Sequence, residues 1–313
     1  MPLKDGGIVL AASDGGYIIS KDGDVKVVGE GEHCEAVAVS PTGEIAFGFA
    51  HRLPLDYIPD IRKSSQVVYH KVREVHMVGG ANPRTIVVAQ KPYDVSFAQL
   101  AFNADGSVLM VVTYPAGVTL IKGDKVLNIP TSYYGGRIWP CLESSPKDAK
   151  QFLYCEFLFQ LDSEKEGSFT RAYVGGYKAG APDTGKGHTS SAYGSKGEVV
   201  SIKRNWKGNF TVCEGTEETE IPYRDGPRYL GADRLAVGEK FIAYTALDTV
   251  MVWDRKEKKT AHIFTQASYA DGGYVQAIAF RPTGELIVAT NNGQVSEWDP
   301  ETGKKVKTIL QAR

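Results

Sequence analysis

Several things are scarce in this chain, and each scarcity removes a class of function. No stretch of the 313 residues approaches eighteen uninterrupted apolar side chains, so no membrane-spanning helix is encoded and no membrane insertion is expected. There is no block of one charge. Lys and Arg total 36 against 37 Asp and Glu, a formal net charge of −1, which leaves no broad positive field to hold a polyanion, and no nucleic-acid partner is expected. Four cysteines, Cys34, Cys141, Cys155 and Cys213, form no Cys-x-x-Cys pair and no disulfide framework. They suit a reducing compartment such as the cytoplasm. The opening Met-Pro-Leu-Lys-Asp-Gly-Gly lacks the apolar core of a signal peptide.

Catalytic signatures are equally sparse. The six histidines (His33, His51, His70, His76, His188 and His262) show no ligand spacing beside a carboxylate, so no metal is expected. No Gly-x-Ser-x-Gly elbow occurs. Gly180-Ala-Pro-Asp-Thr-Gly-Lys-Gly approaches a phosphate-binding loop, but Gly187 stands where a Ser or Thr must hold magnesium, and no cofactor is expected. The acidic run Glu214–Glu220 reads as a solvated connection.

What is present is a repeat. Trp253-Asp254 and Trp298-Asp299 sit 45 residues apart in the similar segments Thr249-Val-Met-Val-Trp-Asp and Gln294-Val-Ser-Glu-Trp-Asp. A second signature is an apolar run, a tight turn and another apolar run. Val37-Ala-Val-Ser-Pro-Thr-Gly-Glu-Ile-Ala-Phe and Ile278-Ala-Phe-Arg-Pro-Thr-Gly-Glu-Leu-Ile-Val share it, and versions begin at Leu100, Leu235 and Cys141. An outer hairpin with Asp-Gly or Gly-Asp chemistry repeats at Gly16–Val28 and Gly117–Ile129. Periods of 40–45 residues with four strands each are the mark of β-propeller blades.

The fold class is therefore all-β, a single propeller domain over 1–313. Blades are expected near 8–30, 35–92, 97–131, 137–215, 228–266 and 274–310. The fourth of these is expanded, with an insertion at 162–196. Six blades follow if 137–215 holds one, seven if it holds two; Ala179–Lys196 reads as a loop, which favours six. A small extra hairpin is expected near Phe169–Val174, and the N-terminal blade lacks its innermost strand.

On these segments the chain resembles the WD-repeat β-propellers, closely in its last two blades and loosely elsewhere. Members of that family carry a Gly-His pair before each blade; here only Glu32-His33 is similar. The resemblance implies an interaction platform. Trp253 and Trp298 are then expected to pack between blades rather than to meet a ligand.

In a four-stranded meander the turns after the first and third strands lie at one end, and the others at the opposite end. Turns of the first kind are short here: Pro41-Thr-Gly, Asp105-Gly, Gly123-Asp, Lys207-Gly-Asn, Glu301-Thr-Gly. The second kind carries the length, at His51–Ser65, Ser132–Trp139, Asp162–Lys196, Thr216–Gly231 and Gln266–Gly273. Loops beyond about 12–15 residues in a compact domain usually serve function or are disordered. Nine of the sixteen tyrosines fall there, with arginines close by in sequence. The candidate partner-binding residues are Arg52, Tyr57, Arg62, Tyr133, Tyr134, Arg137, Tyr177, Tyr193, Tyr223, Arg224, Arg228 and Tyr229, of the residue types that anchor interfaces. The leading expectation is a non-catalytic scaffold or assembly subunit with a protein partner, placed in a reducing compartment or within a large particle. The alternative is a glycan- or ligand-binding propeller of an attachment or particle structure. Third comes a propeller lactonase, lyase or hydrolase working at the channel mouth.

Overall fold

The computed structural model describes residues 1–52, 71–79, 83–91, 96–114, 117–129, 142–154, 157–162, 169–173, 189–204, 210–215, 217–221, 234–246, 249–265 and 274–311. They form seven antiparallel sheets in series, the blades of a seven-bladed β-propeller. The first sheet has three strands, β1 (Ile8–Ala12), β2 (Gly15–Ile19) and β3 (Val25–Val28). The second holds β4 (His33–Val39), β5 (Ile45–Arg52), β6 (Lys71–Val78) and β7 (Arg84–Lys91). The third holds β8 (Ser96–Phe102), β9 (Leu109–Tyr114), β10 (Gly117–Lys122) and β11 (Lys125–Ile129). The fourth is β12 (Leu142–Ser144), β13 (Gln151–Tyr154), β14 (Phe157–Leu161) and β15 (Phe169–Tyr173). The fifth is β16 (Thr189–Tyr193), β17 (Val199–Arg204), β18 (Phe210–Glu214) and β19 (Glu217–Ile221). The sixth is β20 (Leu235–Val237), β21 (Phe241–Ala246), β22 (Thr249–Asp254) and β23 (Lys259–Thr265). The seventh is β24 (Val275–Phe280), β25 (Leu286–Thr290), β26 (Val295–Asp299) and β27 (Lys304–Leu310). No helix among the described residues is long and apolar enough to cross a membrane.

Of the two blade counts, seven is realised, and the stretch 137–215 holds strands of two sheets. Phe169–Tyr173 is the fourth strand of one sheet rather than an added hairpin, and Thr189–Tyr193 opens the next rather than looping. The first sheet does have three strands. The inner edge of β1 is partly filled by backbone from Met1–Leu3: Val9 N–H donates to the Met1 carbonyl at 2.8 Å, and Leu3 N–H to that of Gly7 at 2.8 Å.

Contacts divide the chain into two units, Leu3–Ile138 with Leu161–Phe169, and Trp139–Gln160 with Thr170–Arg313. In the first, Val9, Cys34, Ile45, Phe47 and Phe49 pack the first sheet on the second. Ala38, Val75, Leu100, Phe102 and Val111 pack the second on the third. In the second unit, Val200, Ile202, Phe210 and Tyr244 pack around Trp253, between the fifth and sixth sheets. Trp298 stacks on Phe264 of the sixth sheet, centroids 3.9 Å apart at 11°. Both tryptophans thus hold sheet to sheet.

Their aspartates do a different task. Asp254 Oδ1 accepts from the backbone N–H groups of Lys256 and Glu257, and Asp299 Oδ1 from that of Glu301 at 2.8 Å. Each carboxylate thereby closes the turn after the third strand. The residue four places beyond is left-handed in both copies, Gly303 at φ +66° and Lys258 at +50°. Outer strands carry Lys26, Lys259, Lys304, Lys305 and Lys307, charges that discourage edge-to-edge pairing.

Candidate functional site

Strand bounds fix where connections lie. Within each four-stranded sheet, the links after the first and third strands run from two to seven residues. The links β5–β6, β11–β12, β15–β16, β19–β20 and β23–β24 are 18, 12, 15, 13 and 9 residues long, and all leave the other strand ends. Lys207-Gly-Asn, expected among the short set, belongs instead to the β17–β18 link and lies outside the described residues.

Most of the sequence-derived candidates also lie outside the described residues: Tyr57, Arg62, Tyr133, Tyr134, Arg137, Tyr177, Tyr223, Arg224, Arg228 and Tyr229. Arg52 ends β5, at the start of the longest link. Tyr193 is corrected. It closes β16 and is only 8% exposed, so it is a core residue rather than a link residue.

At the long-link ends of the sixth and seventh sheets the described residues supply an arginine and a tyrosine that sequence reading passed over. Arg234 directly precedes β20 and Tyr274 directly precedes β24. Each backbone is pinned in two directions. Thr245 N–H donates to the Arg234 carbonyl at 3.0 Å while Arg234 N–H donates to Thr245 Oγ1 at 3.1 Å. Tyr274 N–H donates to Asn291 Oδ1 at 2.8 Å, and the Tyr274 carbonyl accepts from Asn291 N–H at 3.0 Å. The Arg234 guanidinium crosses to the seventh sheet and donates from Nε to the Gln276 carbonyl. Tyr274 is 42% exposed, a large amphipathic ring on a fixed backbone. A pinned arginine and an exposed, pre-set tyrosine on adjacent sheets can bury a partner side chain at small entropic cost. An alignment of the sixth blade on the seventh would have revealed them, since both stand immediately before a first strand.

A carboxylate was also missed. The first strand β12 carries Glu143, whose Oε2 accepts from Tyr193 N–H of the fifth sheet at 2.7 Å. Burial pushes its carboxyl up to about 7, against the smaller opposing pull of that hydrogen bond. Because the folded value lies above the ordinary 4.5, the stabilising protonated form is full below about 4.5 and lost as pH rises through about 7. Glu143→Gln keeps the acceptor and removes the titration. Its melting temperature should match the parent near pH 4.5 and exceed it above pH 7 by about 2–4 °C, read by scanning calorimetry across pH. A constant offset at all pH values would show that Glu143 does not titrate in this window.

The acidic run Glu214–Glu220 spans the β18–β19 hairpin, and Glu214 pairs with Arg255 at 2.6 Å, Glu218 with Lys203 at 3.0 Å, and Glu217 with Lys258. No group of three or more metal-ligating side chains occurs among the described residues.

No protein-family model matches the chain, and no curated protein does. Solved structures do. It is similar to the WD40 β-propeller domain of Doa1, with a TM-score of 0.60 at 12% identity over 94% of this chain and 90% of that one. A chain of the Mitotic Checkpoint Complex matches with a TM-score of 0.57 at 11% identity, over 88% of this chain and 76% of that one. The dihydro-heme d1 dehydrogenase NirN, solved in complex with DHE, matches with a TM-score of 0.55 at 14% identity over 100% of this chain and 74% of that one. The chain therefore has the fold of the WD-repeat propellers, and at these identities the likeness concerns the fold alone.

Proposed function

We propose that this protein is a non-catalytic interaction scaffold that docks a protein partner on the strand ends from which its long links leave. The observation that carries the proposal is the one-sided distribution of link lengths. All five links of nine residues or more fall in one connection class, while the other class never exceeds seven. Long connections held by a rigid sheet framework are a common place for recognition. Arg234 and Tyr274 stand on those ends with backbones already fixed, and arginine and tyrosine dominate interface hot spots. A WD40 propeller domain and a chain of the Mitotic Checkpoint Complex among the similar structures favour a protein over a sugar or small molecule.

The test is affinity purification of tagged protein from the cells that make it, with quantification of specific co-purifying chains. The double variant Arg234→Ala/Tyr274→Ala should lose them by about ten-fold or more at unchanged thermal stability, as expected of truncated hot spots. Alanines at Tyr133, Tyr134, Tyr223 and Arg224 should act in the same direction. Undiminished recovery with both sets would end the proposal.

A further inference from the structure

At the short-turn ends of the second and third sheets, away from the ends considered above, lies a cleft of about 300 Å³. Its floor is apolar and comes from both sheets: Met77 of β6, Phe102 at the end of β8, Leu109 of β9 and Ile121 of β10. All four are core side chains, so the floor is held by packing and does not need a ligand to form. Two charged groups stand on its walls, Glu44 and Arg84.

Arg84 is the unusual member. Its side chain is only 30% exposed, and its Nε is shut off from solvent without a hydrogen-bond partner. Its ion pair is a 3.5 Å contact from Nη1 to Asp124, a side chain 95% exposed on the β10–β11 turn. An exposed pair at that distance holds a guanidinium only weakly. A shielded, unpartnered N–H is costly, and the fork of an arginine matches a carboxylate with two parallel donors.

We propose that this cleft binds a carboxylate borne on a short branched apolar group, with the carboxylate on Arg84 and the apolar group over Met77, Phe102, Leu109 and Ile121. Glu44 and Asp124 flank the one guanidinium among the described residues of the cleft, so a phosphate dianion would be repelled more than a monoanion. The volume sits at the low end for ligand sites and suits one residue-sized group. Glu44 adds an acceptor for a ligand N–H. Two sources carry this chemistry: the C-terminal residue of a polypeptide ending in an aliphatic side chain, and a free aliphatic acid.

Three probes separate the cases on full-length protein carrying a ¹³C label in its methionine methyls, with the Met77 signal assigned through Met77→Leu. N-acetyl-leucine should shift the Met77 methyl in a saturable way at millimolar concentration. N-acetyl-leucinamide, which lacks the carboxylate, should bind at least about ten-fold more weakly, the loss expected for a charge-assisted pair. Arg84→Gln should weaken N-acetyl-leucine by a similar factor while leaving its affinity for the amide unchanged. If 4-methylpentanoate binds more weakly than N-acetyl-leucine, the chain terminus is the source; if it binds as well or better, the free acid is. No Met77 shift with either acid up to about 10 mM would overturn the proposal, as would equal affinity for acid and amide. The amide comparison uses unaltered protein and so holds even if Arg84→Gln fails to fold. Partner capture through Arg234 and Tyr274 concerns the other strand ends of other sheets, so either result can fail without the other.

Discussion

Gly16→Val should cost about 3 kcal/mol or more, the upper range for overpacking a closed core. Gly16 lies in β2, paired to Ala11 on one side and Val28 on the other. A Cβ built there would stand 2.5 Å from Cδ1 of Phe47, 2.7 Å from Cε1 and 2.9 Å from Cγ. Phe47 has no exposed surface and belongs to the cluster that packs the first sheet on the second, so its ring has nowhere to go. Only a residue without a side chain lets the two sheets close. Gly16→Ala should already lose about 1–3 kcal/mol, read from urea midpoints at unchanged slope. Phe47→Leu should relieve part of that loss. The double variant should be more stable than the sum of its parts by at least about 0.5 kcal/mol, the signature of direct contact. Strict additivity would mean that Gly16 and Phe47 do not touch.

Arg255→Ala should remove about 2–3 kcal/mol, somewhat less than a fully buried pair would give because the side chains keep some solvent. From the turn after β22, Arg255 donates Nη2 to Glu198 of the fifth sheet and Nε to Glu214, both at 2.6 Å. Its Nη1 donates to the Gly238 and Glu239 carbonyls of its own sheet, at 2.9 and 3.3 Å. One guanidinium therefore ties the start of β17 and the end of β18 to the turn after β20. Removing it leaves two half-buried carboxylates facing each other. Lysine cannot restore the arrangement, having no planar fork to serve four acceptors, so Arg255→Lys should recover under half of the loss.

The pH dependence has a definite sign. Burial pushes the Glu198 carboxyl up, but its bonds to Arg255 and to backbone N–H groups together hold it below the ordinary 4.5. The associated stability is present above 4.5 and disappears as pH falls through the depressed folded value. The gap between parent and Arg255→Ala should thus be widest near neutrality and close in acid. A gap independent of pH would show that the loss is one of packing alone.

The parts of the fold that could be read in advance are those where turn chemistry and strand periodicity agree. Pro-Thr-Gly-Glu at 41–44 and 282–285 marks the turns β4–β5 and β24–β25, and in both the glycine takes the positive φ that such a turn needs. Strand β16 defeated the reading for a physical reason. Thr189-Ser-Ser-Ala-Tyr has the composition of a flexible link, without apolar alternation, yet Ser190 and Ser191 are fully buried. First strands of successive sheets in this unit lie side by side, which favours small residues, and the hydroxyls of Ser191 and Ser201 satisfy each other at 3.1 Å. Polarity that is paired inside a sheet cannot be told from polarity that faces water.

The same difficulty affects the site. Tyr193 reads like its neighbours in sequence but sits in the core, whereas Tyr274 precedes a first strand and stays in solvent. Residue type alone does not separate the two; position relative to the first strand of the blade does.

Site-specific photocrosslinking tests the central claim most directly. A benzophenone side chain would be placed at position 274, on the long-link ends, or at position 301, in the short β26–β27 turn of the same sheet. After irradiation in the cells that make the protein, position 274 should yield a discrete heavier species containing the partner, and position 301 none. A partner adduct from 301 with none from 274 would contradict the assignment of the binding side.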